Sequence, residues 1–482
     1  MRASPIPEGH DPEHGKDGIV QRTQSPARVP DLDRGSLLTR AQAQALAERV
    51  LKMSTADQTR VNIVSAWSGN TRFADASITT SGAFVDTTLT VTVTIGRRRA
   101  SSTTNTLDDA SLKRTLDLAV ALARVSPEDP ELMPELGPQM YAAVDAFVER
   151  SANLDPETRA AAVTRAVDAA LGAGKPAGAI FTAGFLQANA QTIAVATSRG
   201  LFAYHRTTDT SFSMTARTPD GTGSGWANIG ARDWGSVDTE TLGRIAAQKA
   251  VASRNPEAIE PGKYTTVLEP QAVEELIPLL AGALDARTAD EGRSPFSKAG
   301  GGTRIGEKVV DERVTLYSDP TDRSLLGRPF DNQGQPVERV VWIEKGILKN
   351  LAYSRFWAEK QNARPTGGGT ALIGGLALTG GTKTVEEVIA GCKHGILLTR
   401  LWYIRSLDPR TVLQTGLTRD GTFLIENGRI TRALKNFRWN ESPLLMLNRL
   451  EDLSRPEPTA PGRMMPALRV RDFDFTSSSD AV

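Results

Sequence analysis

Four histidines and one cysteine are all the nitrogen and sulfur ligands this chain offers. A zinc hydrolase needs neutral imidazoles or thiolates to hold the ion, and a carboxylate to take a proton from its water. His10 and His14 lie four apart, a ligand-compatible spacing, but in a segment rich in Pro, Gly and charge that reads as disordered. His205 falls in the strand-like run "FAYHRTT", where a sheet surface or a satisfied core position is expected. Cys392 and His394 in "GCKHG" are two apart, and as strand residues they would point to one side. They are the weak candidates for a nucleophile–base pair. Packing is the plainer reading, because neighbouring strand positions rarely aim sulfur at an imidazole nitrogen. There is no G-x-S-x-G elbow, Walker motif or Cys-rich cluster. The pair Glu274 and Glu275 reads as a solvated helix face near an N-terminus, where negative charge is favoured. They open "EELIPLLAGALDA", Glu274 to Ala286, which reads as one apolar helix. Its centre carries no side chain that binds a metal or moves a proton.

The elements that must position such residues follow from the pattern along the chain. With 482 residues, two or three domains with sizeable cores are expected. Apolar content of 39% and charge content of 23% describe an ordinary globular protein. A net charge of +1 gives no general electrostatic reason to bind nucleic acid, and Arg97, Arg98 and Arg99 read as a solvated strand end. A single cysteine excludes an internal disulfide and fits a reducing compartment. No apolar run approaches the roughly 18–20 residues that cross a bilayer, and no signal-type stretch opens the chain. No membrane partner is expected.

Residues 1–37 are read as a disordered tail, 38–255 as an N-terminal α+β region divisible near 125–150, and 256–482 as a β-rich C-terminal domain. Helices are signalled by "LTRAQAQALAERVLKMS", by "LDDASLKRTLDLAVALARVSP" with Asp108 or Asp109 as cap, and by "DPETRAAAVTRAVDAALGAG". In the last of these Asp155 caps and Gly172 ends the helix. Another is expected near 238–254. "AGAIFTAGFLQANAQTIAVATS", "GLFAYHRTTDTSFSMTART" and "SGWANIGARDW" read as an antiparallel meander. The glycines of "DGTGSGWAN" are not a dinucleotide loop, because no helix follows to receive a pyrophosphate. After the joint "RNPEAIEPGKY" come many short strands and the helix "TVEEVIAG", whose Thr384 and Glu387 form a capping box. Segregated helices and strands make the class α+β.

Several segments, in one order, carry a resemblance. They are "GNTRFADASI", "RRRASSTTNTLDDASLKRTLDLAVALA", "GKYTTVLEPQAVEEL", "SDPTDRSLLGRPFDNQGQPVERVVWIEKGILKNLAYSRFWAEK", "GILLTRLWYIRSLDPRT", "TRDGTFLIENGRI" and "MPALRVRDFDFTSSSDAV". Together they resemble the TldD/PmbA family from about residue 40 to the C-terminus. The resemblance implies a cytoplasmic protein with an N-terminal α/β region, a larger β-rich C-terminal domain, and dimers enclosing a cavity. In the best understood arrangement a TldD subunit and a TldE (PmbA) subunit form a peptidase for unfolded peptides. The family has also been linked to DNA gyrase modulation. Only the TldD type carries zinc, on a His-Glu-x-x-x-His helix and a cysteine near the C-terminus. Laid on the shared Gly282, that pattern puts Pro278 and Leu279 where His-Glu would be and Ala283 where the second His would be. "SRPEPTAPGRMMPALRV" lacks the cysteine. The chain therefore resembles the zinc-less TldE type more closely, with no cofactor of its own.

Three readings follow. In the first, the chain is the non-zinc subunit of a heteromeric peptidase and pairs with a zinc-bearing homologue. The second is a homodimeric peptide-binding protein without proteolysis. The third is a peptidase by other chemistry, through Cys392 and His394. Peptides would lie along an exposed strand edge, with Tyr403, Arg405, Arg419 and Asp420 as candidate wall residues. Glu426 and Asn427 of "IENG" read as turn-formers, Asn-Gly being a strong hairpin signal.

Overall fold

The computed structural model describes residues 37–325, 327–366 and 374–479. His10, His14 and residues 1–36 of the expected tail lie outside the described residues. The first element, α1 (Arg40–Met53), starts at Thr39, whose hydroxyl accepts from the Gln42 amide while the Gln42 side chain bonds back. Strands β1 (Gln58–Ala74), β2 (Ser77–Ile95) and β3 (Arg98–Thr104) pair antiparallel. Helix α2 (Asp109–Val125) is capped by Asp108. After the short α3 (Glu149–Ala152), α4 (Pro156–Gly174) is capped by Asp155 and runs two residues past Gly172. The expected meander is β4 (Phe181–Thr197), β5 (Phe202–Arg217) and β6 (Ser224–Ala231), followed by α5 (Thr239–Ala252). The sheet order is β3-β2-β1-β4-β5-β6.

Strand periodicity decides what covers this first sheet. Val61, Ile63 and Phe73 of β1 share one face, as do Leu186, Ala188, Ala194 and Ala196 of β4. One end of that face packs against α1 and α2 through Leu46, Val50, Leu112 and Leu116. The other packs against α4 and α5 through Ala162, Ala166, Ala246 and Ala250. Small residues let α5 lie almost on the strand: a Cβ at Gly225 would sit 2.2 Å from the Ala246 carbonyl oxygen. This is the physical use of Gly223 and Gly225 in "DGTGSGWAN". Ile193 and Val195, on the opposite face of β4, pack with Phe330 from the later part of the chain.

Residues 262–479 build two further sheets. Strand β7 (Gly262–Leu268) leads into α6 (Pro270–Glu274), α7 (Ile277–Gly282) and α8 (Ala286–Asp290). The single helix expected over Glu274 to Ala286 is thus broken. Pro278 has no amide hydrogen, and its ring would clash with the carbonyl four residues back, on Glu274, where α6 ends. Next come β8 (Leu316–Ser318), β9 (Val340–Glu344), β10 (Ile347–Leu348), α9 (Arg355–Lys360), β11 (Leu376–Leu378) and α10 (Val385–Ala390), with its Thr384–Glu387 capping box. Then follow β12 (His394–Asp408), β13 (Leu413–Glu426), β14 (Arg429–Ala433), β15 (Asn436–Glu441), α11 (Pro443–Asn448) and β16 (Leu450–Leu453). The last strands are β17 (Glu457–Ala460), β18 (Arg463–Met465) and β19 (Leu468–Ser479).

The second sheet runs β10-β9-β8-β11-β18-β17 and the third β12-β7-β19-β15-β13-β14. Because β12 also pairs with β13, strands β12, β7, β19, β15 and β13 close into a ring. Its interior belongs to a core that includes Leu268, Leu398, Phe437, Trp439, Phe473 and Phe475. Asn427 and Gly428, with φ of 51° and 75°, turn β13 into β14 as a two-residue hairpin loop. The architecture is α+β, with a β-rich C-terminal part. Among the described residues no helix is long and apolar enough to cross a membrane.

Candidate functional site

Two bulges in the β12–β13 hairpin shape the site. Leu398 pairs with Thr422 and Arg400 with Arg419, so Thr399 alone faces Asp420 and Gly421. Asp420 takes φ 54°, a left-handed conformation uncommon outside glycine. Farther along, Trp402 pairs with Leu417 and Arg405 with Thr415, which leaves Tyr403 and Ile404 opposite Gly416. Tyr403 also has φ 54°. Bulges re-aim side chains, and the first brings Asp420 into a buried charged cluster.

Asp420 is 2% exposed. Its Oδ1 accepts from Ser224 Oγ at 2.5 Å, tying β13 to β6 of the first sheet. Its Oδ2 lies 3.3 Å from Arg400 Nη1 and 3.6 Å from Arg419 Nε. The Arg400 guanidinium lies over two indoles, 4.4 Å from the Trp226 ring centre and 5.0 Å from that of Trp402. Such stacking offsets part of the cost of burying the cation. On its other side Arg400 Nε is 3.5 Å from Glu275 Oε1, and Glu275 Oε2 accepts from the Leu401 amide at 2.5 Å. The neighbouring Glu274 accepts from Thr459 Oγ1 at 3.1 Å and pairs with Arg463 at 3.6 Å.

Glu274 and Glu275 are therefore not the solvated helix face their sequence suggested. The break before Pro278 and the packing of α6 against β12, β17 and β18 turn both carboxylates inward. Burial pushes each up to about 7, against the opposing pull of Arg463 and Thr459 on Glu274, and of the Leu401 amide and Arg400 on Glu275. Groups that titrate near neutrality can hold or release a proton in that range. Here both are also engaged with partners inside the protein, as in a structural ion-pair network.

Of the four nominated wall residues, the structure brings Arg419 and Asp420 into this cluster. Arg419 stacks on Trp402, 4.9 Å from its centre. Tyr403 and Arg405 form a separate exposed pair at the second bulge, with the guanidinium 4.3 Å from the phenol ring centre. Trp402, Tyr403 and Leu407 leave that part of the hairpin apolar and exposed. Sequence reasoning missed Arg400, Ser224 and Trp226. The one available signal was an arginine inside the apolar run "GILLTRLWY", which a buried strand carries only when the charge is paired.

Among the described residues no hydrogen bond links the Cys392 thiol to the His394 imidazole; the thiol meets the His394 backbone amide instead. Strand β12 begins only at His394, so the alternation rule does not reach Cys392. The thiol is buried against Val267, Val388, Leu397 and Phe423, and that burial pushes its pKa up, away from a reactive thiolate. His394 is exposed. His205 is a core residue rather than a surface one: it is 6% exposed, edge-on to Phe330 at 6.5 Å between ring centres. Its Nε2 is buried without a hydrogen-bond partner, and burial beside Arg232 and Arg328 lowers its pKa to about 4. The ring is thus neutral at pH 7.

Pro278 and Leu279 lie in α7 and Ala283 directly after it. None carries a side-chain nitrogen, oxygen or sulfur, Ala283 packs on the main core, and the adjacent carboxylates are held by arginines. These residues do not fit a zinc ion.

Family models match the chain in three consecutive pieces. They are the PmbA/TldA metallopeptidase domain 1 over residues 61–123, the central domain over 149–254, and the C-terminal domain over 261–477. A "Metalloprotease" of Methanocaldococcus jannaschii is 28% identical over 185 residues, covering 36% of this chain and 40% of that protein. The match thus spans less than half the relative's length. A "Metalloprotease PmbA homolog" of Haemophilus influenzae is 21% identical over 354 residues, 72% of this chain and 76% of that one. Among solved structures, TldE from Thermococcus kodakarensis superposes with a TM-score of 0.79 at 17% identity, covering 90% of this chain and 99% of that chain. A Thermotoga maritima protein described as a candidate modulator of a DNA gyrase gives 0.79 at 17% identity, over 90% and 100%. At such identities these structures speak for the fold alone.

Proposed function

The chain belongs to the PmbA/TldD metallopeptidase family, and on that premise we propose that it is the non-zinc subunit of a cytoplasmic heteromeric peptidase acting on unfolded peptides. The observation that carries this reading is the donor-free set Pro278, Leu279 and Ala283 at α7, combined with Glu274 and Glu275 already engaged by Arg463 and Arg400. Zinc, in this reading, belongs to a partner homologue bearing His-Glu-x-x-x-His. This chain contributes part of the chamber wall. The exposed Tyr403–Arg405 pair offers aromatic surface and charge to a peptide, while Arg419 and Asp420 hold the hairpin behind it.

A tagged pull-down from the native host, with stoichiometric partners identified by mass, tests the proposal. Recovery of a His-Glu-x-x-x-His homologue in roughly equal amount is the expected result. Recovery of the chain only with itself removes the paired peptidase and leaves the homodimeric peptide-binding protein. The exposed apolar stretch of the hairpin, with Trp402, Tyr403 and Leu407, suits that second role as well.

A further inference from the structure

Strand β2 runs well past its outer neighbour. Of its 19 residues, β3 covers the seven from Leu89 to Ile95, whereas β1 pairs along β2 as far as Ser77. The 12 residues from Ser77 to Thr88 therefore form an open sheet edge, about 40 Å long at roughly 3.3 Å per residue. Among the described residues only Arg159 Nη2, 3.3 Å from the Gly82 carbonyl oxygen, reaches this stretch of main chain from outside β1. Its remaining outward N–H and C=O groups are left to whatever lies alongside.

Long edges are normally blunted by lysine, by proline or by shortening the strand. This one reads "SITTSGAFVDTT", rich in threonine, without lysine or proline, and with Asp86 as its one charge. A single bulge, opposite Arg72 and Phe73, interrupts it near the tip. Phe84 is 59% exposed. Val64, which pairs with Thr88 and so shares the Phe84 face, is exposed as well. A Cβ at Gly82 would meet nothing within 4 Å. Unpaired main chain in a β-forming, weakly charged segment favours strand addition, and the apolar side chains beside it give that addition something to bury.

We propose that the Ser77–Thr88 edge is an interface between two copies of this chain, in which β2 pairs antiparallel with β2 of the second copy about a twofold axis. Such a contact requires a surface that complements itself, and this one does. Successive side chains point to opposite faces, so a common face is kept only when the axis passes through a residue. With the axis at Gly82, Ala83 or Phe84, Asp86 lies opposite Ile78, Thr80 or Gly82, and no carboxylate meets its copy. The length fits too. An axis at Gly82 sets residues 77–87 of the copy against 87–77, inside the open stretch and clear of β3, which ends at Thr104. The two six-stranded sheets then continue into one. An edge without guards invites uncontrolled pairing in a free chain, which favours a standing subunit contact over a transient peptide. The inference goes beyond the peptidase reading and does not rest on it.

Light scattering on the full chain at micromolar concentration reads the assembly, and twice the chain mass is expected. Ala83→Lys and Phe84→Lys, both at exposed positions, bring like charges together across the axis. Each should weaken self-association about tenfold or more and leave the far-UV circular dichroism unchanged. Single cysteines at Gly82, Ala83 and Phe84 locate the axis. A disulfide needs Cα atoms roughly 4.4–6.8 Å apart, so mild oxidation should link the copies strongly at one of these positions. Ser101→Cys on β3 should stay unlinked, and the native Cys392 is buried. A monomer at micromolar concentration overturns the proposal. So does a dimer that survives both lysines and links at none of the three positions. A chain that is monomeric alone but pairs with a zinc-bearing homologue removes the second copy and leaves the peptidase subunit. A dimer linked at the axis, in a chain whose pull-down lacks that homologue, does the reverse.

Discussion

Replacing Glu275 by Gln tests the electrostatic reading of the Arg400 cluster most directly. Burial carries the Glu275 carboxyl from its ordinary 4.5 up to about 7. At about 1.4 kcal/mol for each pH unit, that interval corresponds to about 3 kcal/mol. A carboxyl with a higher pKa in the folded than in the unfolded chain holds its proton more firmly when folded. Below about pH 4.5 it is protonated in both states and has no effect on stability. Between about 4.5 and 7 the unfolded chain ionises first, so stability falls as pH rises, and above 7 the whole loss is present. Glutamine keeps the shape and stays neutral. The variant should therefore match the parent near pH 5 and exceed it near pH 8 by up to about 3 kcal/mol. Glu274, pushed up similarly, should leave a second decline of the same sign in both proteins. Urea unfolding of the two proteins at both pH values, compared through midpoint and slope, measures the difference. A gap that does not change with pH refutes the reasoning. So does a variant less stable than the parent at pH 8, which would mean that the ion pair outweighs the desolvation.

Three further outcomes are expected. Arg400→Met strands Glu275 and Asp420 without their shared cation and should cost about 3–5 kcal/mol by urea unfolding. Adding Glu275→Gln should restore part of that loss. Gly243→Ala should destabilise by about 1–3 kcal/mol in spite of better helix propensity, because the new Cβ would meet the Ala166 carbonyl oxygen at 2.1 Å; a raised melting temperature would contradict this α4–α5 contact. Cys392 should react slowly with a thiol reagent in the folded protein and quickly once unfolded, and Cys392→Ala should leave any peptide binding or hydrolysis unchanged. Loss of activity in that variant, with indifference to chelators, would instead support cysteine chemistry.

Much of the fold was legible from local pattern. Asp108, Asp155 and Thr384 mark helix starts because a side-chain oxygen satisfies an amide that the helix cannot. The β4–β6 meander follows from alternation and turn residues, and Asn427-Gly428 from the positive φ that a two-residue loop requires. At Pro278, Leu279 and Ala283 the sequence by itself determines that no side chain can ligate a metal, since that depends only on which atoms a residue possesses. What it could not determine were the neighbours. Glu274 and Glu275 look like solvent-facing charges until β12, β17 and β18 close over α6. Arg400 finds Trp226, and Asp420 finds Ser224, only because the first sheet reaches the bulge at Asp420. Cys392 is buried among Val267, Val388, Leu397 and Phe423, while His394 is exposed. Tertiary structure decided these points, because burial, charge pairing and pKa depend on which distant segments exclude water from a group, and contacts between residues 224 and 420 leave no trace in local spacing.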